Sequence, residues 1–159
     1  MPSEVLDNID RDLLRILQAD GKASVQDLAD ATGLSTSPCW RRVKRLEDAG
    51  LITGYGAIVS AKAIGLRALA YVHVSLIDHR QETVDAFSRL VDTRDQIVEC
   101  ASITGSSDYV LKIAAADAEG LERFIMQVLL RSGLVRTTQT NFIMRQTKST
   151  RAWPVGPLA

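Results

Sequence analysis

Stepped at about 100° per residue, the first fifty positions sort into apolar and polar faces three times over. Ile9, Leu13, Ile16 and Leu17 recur at i, i+4, i+7 and i+8 behind the capping residue Asp7, and Gly21 closes the run. Ser24 with Asp27 three residues on has the form of a capping box, and Val25, Leu28 and Ala29 give the short helix behind it an inner face. After Thr32-Gly33-Leu34 the spacing predicts a third helix, capped by Ser37, entered through Pro38 and stopped by Gly50. In it Cys39, Val43 and Leu46 form one stripe. Arg41, Lys44 and Arg45 fall opposite, with Trp40 and Arg42 on the flanks.

Residues 51–59 are β-prone but broken by Gly54 and Gly56, as a wing or an exit strand would be, and 60–65 read as a turn-rich connection. Beyond it the period changes to two. Residues 68–77 alternate Ala70, Val72, Val74 and Leu76 against Leu69, Tyr71, His73 and Ser75. Residues 81–91 carry Val84, Phe87 and Val91 at helical spacing. Residues 97–104 and 108–114 predict two strands joined through Gly105-Ser106-Ser107, a hairpin signal. Asp117 opens a helix with Leu121, Phe124, Ile125 and Val128 inside, and 135–147 predict a long Thr-rich strand. The order β-α-β-β-α-β is the ferredoxin-like arrangement, so the expected class is α+β: a winged helix-turn-helix unit followed by a ferredoxin-like one. The boundaries expected are 1–53 for the first, 54–66 for a β linker, 67–148 for the second, and 149–159 for a tail without regular structure. A ferredoxin-like sheet has helices on one face only. Its bare face calls for a partner, and either the Leu69, Tyr71 set or the Ala70 set is apolar enough to make a dimer interface.

Composition narrows the class. With 159 residues, 46% hydrophobic and 24% charged, the chain has room for two modest cores and the balance of a globular protein. No apolar run reaches a membrane span and the acidic start predicts no secretory leader, so the expected location is cytoplasmic. Cys39 and Cys100 stand alone in apolar patterns and read as reduced and buried. His73 and His79 have no ligand-spaced companions, which predicts no metal site. No Gly-x-Ser-x-Gly elbow or clustered ionisable set marks a catalytic centre, so neither catalytic residues nor a cofactor is expected.

Charge changes the picture by its placement. The net charge is zero, yet of the seven Lys/Arg in residues 1–60, against nine Asp/Glu, four lie between 41 and 45. Two helices joined by a Gly-containing turn, the second with a basic outward face, form a helix-turn-helix whose second helix enters the major groove. A local patch rather than a global field implies weak, salt-sensitive binding per copy and several copies acting together.

These features resemble the Lrp/AsnC, or feast/famine, family of transcriptional regulators. The motifs are Ile9-Asp10-Arg11, Leu34-Ser35-Thr36-Ser37-Pro38 with Arg42-Val43-Lys44-Arg45-Leu46-Glu47, Gly50-Leu51-Ile52-Thr53-Gly54-Tyr55, and Thr104-Gly105-Ser106-Ser107-Asp108-Tyr109. The resemblance implies a helix-turn-helix domain and a regulation-of-amino-acid-metabolism (RAM) domain. It implies nucleoid-associated homodimers assembling to octamers, and an amino-acid effector bound between dimers. By position, Ser35, Thr36, Ser37, Trp40, Arg41, Arg42, Lys44 and Arg45 match the DNA-facing segment, with Arg41 and Arg45 the leading contacts. The effector set is Gly105, Ser106, Ser107 and Asp108, whose exposed amides suit an α-carboxylate and whose carboxylate suits an α-amino group, with Asn141, Phe142 and Ile143 as further wall. Where the family commonly has Asp after the glycine, this chain has Ser106, which favours a neutral amino acid over a cationic one. Two rival readings stand beside the effector-modulated regulator: an architectural DNA-binding protein indifferent to small molecules, and an enzyme built on the ferredoxin-like unit.

Overall fold

A computed structural model describes residues 6–156 of the chain; Glu4, one of the nine acidic residues counted above, and positions 157–159 of the expected tail lie outside them. The chain divides into two compact units, residues up to Ile58 together with those from Lys148 onward, and Val59–Thr147.

The first unit is built on three helices. Asp7 and Asp10 exchange backbone and side-chain hydrogen bonds in a capping box that opens α1 (Asn8–Ala19), and Ser24 with Asp27 does the same for α2 (Val25–Thr32). Gly33, at φ 69°, ends α2 in the left-handed region that favours glycine. Helix α3 spans Thr36–Asp48. It begins two residues earlier than the sequence suggests: Ser35, not Ser37, holds the N-cap position, and its hydroxyl makes no capping bond. Pro38 is tolerated there because the amides of a first turn have no intrahelical partner in any case. Leu13, Leu14, Leu28, Ala29, Cys39 and Leu46 close the core. Residues 51–59 form no strand among the described residues, against expectation. A strand needs a ladder partner, and none pairs with them among the described residues.

The second unit is a four-stranded antiparallel sheet in the order β2-β3-β1-β4, made of β1 (Ala68–Leu76), β2 (Ile97–Ser102), β3 (Tyr109–Ala115) and β4 (Val135–Phe142). Helix α4 (Gln81–Asp92) joins β1 to β2. Helix α5 (Ala118–Phe124) runs on through a π-turn, Ile125–Leu129, and a 3₁₀ turn, Leu130–Ser132. Alternation decides the faces. Ala70, Val72, Val74 and Leu76 are buried with Leu111, Ile113, Phe87, Leu121 and Leu129, and the Phe87 and Tyr109 rings sit 4.8 Å apart. The Leu69, Tyr71, His73 set takes the opposite face, where Tyr71 is exposed. Of the two candidate interfaces, the Ala70 set is therefore core. β4 stops at Phe142, five residues short of the expected end, because β1 has run out: Ala70 pairs Phe142, and Ile143 donates to the Leu69 carbonyl at 2.8 Å. Cys39 is buried as expected. Cys100 is exposed, because β2 is an edge strand with little packed beyond it.

Candidate nucleic-acid interface and effector site

The outward side of α3 is assembled from α3 and braced by α1. Asp10, the inner member of the capping box, is 1% exposed, and a carboxylate buried to that extent requires compensating charge. It finds two: Arg42 Nη1 donates to Oδ1 at 2.8 Å and Arg45 Nη2 to Oδ2 at 2.6 Å. Arg42 also reaches Asp7 Oδ2 at 2.7 Å. The amide of Asp10 and the Arg42 guanidinium hold the Asp7 carboxyl below the usual range. Two of the four predicted cations are thus fastened to the first helix. Lys44 pairs with Asp48 at 2.9 Å and lies 3.9 Å from Glu47. Arg41 is exposed and makes no ion pair among the described residues. Spacing put Arg41 and Arg45 on one face, but it could not disclose that Asp10 claims Arg45.

Around Arg41 the surface suits an anion. Pro38, Arg41, Arg42 and Arg45 line a shallow hollow of about 280 Å³. Ser35, Thr36 and Ser37 present exposed hydroxyls at the uncapped start of α3. A helix start with unpartnered amides attracts phosphate. Trp40 is 55% exposed and lines a hollow with Val43, Lys44, Glu47 and Tyr55. The Tyr55 hydroxyl donates to Glu47 at 2.9 Å, and burial together with that carboxylate pushes its pKa up to about 12.

In the second unit, the loop between β2 and β3 turns at Gly105, whose φ of 124° favours glycine. Ile103 donates to the Asp108 carbonyl and Asp108 to the Val74 carbonyl. The amides of Gly105, Ser106 and Ser107 are left without acceptors among the described residues. The Asp108 carboxylate is already engaged. Oδ1 lies 2.8 Å from His79 Nε2 and Oδ2 accepts from the Leu76 amide at 2.8 Å, contacts that hold its pKa below the usual range. Asn141 and Phe142 are exposed and Ile143 half-buried. The strand register separates the two sets: Asp108 and Tyr109 lie at Val74, whereas Phe142 lies at Ala70. Four residues of β1 at about 3.3 Å each put about 13 Å between them. One chain does not bring the two sets together.

Comparison with known proteins places this geometry. The winged helix-turn-helix DNA-binding family matches residues 6–53, and the Lrp/AsnC ligand binding domain matches residues 69–153. The transcriptional regulator AzlB of Bacillus subtilis is 34% identical over 151 residues, covering 95% of this chain and 96% of that one. The leucine-responsive regulatory protein of Escherichia coli is 34% identical over 147 residues, covering 92% and 90%. Among solved structures, a Neisseria meningitidis transcriptional regulator in complex with L-Met superimposes with a TM-score of 0.92 at 30% identity, covering 95% of this chain and 97% of that one. A Mycobacterium tuberculosis feast or famine regulatory protein complexed with L-methionine gives 0.80 at 31%, covering 92% and 97%. A helix-turn-helix with a basic outward face, carried with a ferredoxin-like ligand-binding unit and matched along both, makes this chain a member of the Lrp/AsnC family of DNA-binding transcriptional regulators.

Proposed function

We propose that Arg41, Trp40 and Lys44, with the hydroxyl cluster Ser35, Thr36 and Ser37, meet the duplex, while Arg42 and Arg45 chiefly hold α3 against α1. The observation that carries this reading is the contrast in partners: Arg41 faces solvent with no carboxylate paired to it among the described residues, whereas Arg42 and Arg45 both close on a buried one. An exposed, unpaired cation such as Arg41 is available to phosphates and guanine edges outright, and Lys44 has only to exchange its solvent-exposed partner Asp48 for a phosphate. The protein works on the nucleoid in the cytoplasm as homodimers, paired through the Tyr71 face of the sheet and gathered to an octamer, so that weak single-unit contacts add.

The effector of this reading is a neutral amino acid, in keeping with Ser106 and with structural neighbours solved with L-methionine. Its carboxylate meets the amides of Gly105, Ser106 and Ser107. Asp108 positions that loop, and Asn141, Phe142 and Ile143 of a second copy complete the wall, since the register keeps the two sets apart in one chain. Binding at such a seam alters DNA affinity by favouring one assembly over another.

A complementation experiment tests the two-copy site. Gly105→Val and Asn141→Ala should each abolish amino-acid binding in isothermal titration, and co-assembled mixtures of the two should regain up to about a quarter of the sites, as random pairing leaves some seams with both intact halves. Mixtures with no regained binding, from proteins that still assemble, contradict it.

A further inference from the structure

Beyond β4 the described residues carry no helix or strand, yet residues 150–156 do not run free. They lie along α1. The Gln18 side chain accepts from the amide of Trp153 and donates to its carbonyl at 3.1 Å, so that a primary amide pairs with one residue as a neighbouring strand would. Arg11 Nη1 donates to the Val155 carbonyl at 2.7 Å, two turns away on the same helix. The Val155 side chain packs onto the apolar cluster of Leu13, Leu14 and Leu28. Gln18 and Arg11 therefore fix the segment's backbone, and Val155 supplies its apolar anchor. Beside it Leu14, Leu17, Ile52, Tyr55 and Trp153 line an apolar cavity of about 620 Å³. The family's ligand-binding domain match ends at residue 153, within the segment, and the chain from Lys148 onward groups with the three helices.

We propose that residues 150–156 form a strap docked on α1, which gives the DNA-binding unit a second anchor to the chain and narrows the half-site spacings that paired units can reach. The first anchor is the connection through Ile58 and Val59, which is free of helix and strand and has little stiffness of its own. A unit held at one flexible point accepts many half-site spacings, and one held at two accepts few. The spacing clause rests on the paired-unit DNA reading above. The docking clause does not.

Limited trypsin digestion of the full chain reads the docking at Arg151. The wild-type bond should be cut at least about tenfold more slowly than the same bond in a free peptide of residues 146–156, because cleavage requires local opening. Gln18→Ala removes only the amide pair and Val155→Ser only the anchor, and both should raise the rate toward the peptide's while circular dichroism stays unchanged. Wild-type cutting at the peptide rate, or cutting unmoved by either variant, overturns the strap. Fluorescence anisotropy on a duplex selected by the wild-type protein from a random pool reads the restraint. Moving the half-sites apart by half a turn, about five base pairs, should weaken wild-type binding about tenfold or more and Gln18→Ala binding no more than about threefold. A freed strap with undiminished spacing preference overturns the restraint. Failure to select any duplex instead sinks the DNA reading, and the digestion still decides the docking.

Discussion

Asp10 binds two roles into one carboxylate. As the third residue of α1 it completes a capping box, and as a buried anion it fixes two arginines of the recognition helix. Removing it breaks the capping box and both charged hydrogen bonds but leaves two arginines that water still reaches, so Asp10→Ala should lower the unfolding free energy of the first unit by about 1–3 kcal/mol in urea titration. Asp10→Asn, which keeps the shape, should recover only part of it. Arg41→Ala separates recognition from folding: the melting temperature should hold, while affinity for a selected duplex falls by about 1–3 kcal/mol and the salt dependence loses about one phosphate contact. Arg42→Ala should show the reverse pattern, a lower melting temperature at a nearly unchanged salt slope. Acid tests the caps. Asp7 and Asp27 have folded pKa values below their ordinary ones, the first through the Asp10 amide and Arg42, the second through Ser24. Their stabilisation is complete above the unfolded value of about 3.9 and is lost as pH falls through the folded one. Urea midpoints of the first unit should therefore hold from pH 7 to 5 and drop below about 4.

At the scale of elements, the helices were legible and the ends of strands were not. Asp7, Ser24 and Gly33 announced α1 and α2 because capping is local chemistry, written within four residues. Arg42 and Arg45 gave no such notice. Their partner lies more than thirty residues away, and a helical wheel sorts side chains by direction without showing what they meet. The same distinction accounts for residues 51–59, whose β propensity found no ladder among the described residues, and for β4, whose Thr-rich pattern continued past the start of β1. The loop glycine belongs to the legible part: Gly105, at φ 124°, holds a backbone that an L side chain enters at a cost of about 1–3 kcal/mol. Gly105→Ala should lower stability by that order in urea unfolding and weaken amino-acid binding in titration calorimetry. Its neighbour Asp108 matched the family pattern, but the sequence could not reveal that His79 and the Leu76 amide already occupy its oxygens.

For the whole molecule, the open sheet face is where further copies are expected. It carries Leu69 and His73, half-buried, and Tyr71, exposed, over a floor closed on the other side by α4 and α5. Tyr71→Glu puts a charge at the centre of that face and should shrink the particle seen by light scattering, with secondary structure intact. An unchanged mass would move the interface elsewhere. In the proposed function assembly matters, because one basic patch on a chain of zero net charge would gain its affinity from multiplicity, and an effector seated between copies would act through that number and arrangement. The most direct measurement is the dissociation constant for a selected duplex, titrated by anisotropy with and without each neutral amino acid at millimolar concentration. At least one should change it about fivefold or more, the lower end of ordinary allosteric coupling. A set of identical constants, in protein that binds the duplex well, would mark an architectural DNA-binding protein and contradict the account of a metabolite-sensing regulator.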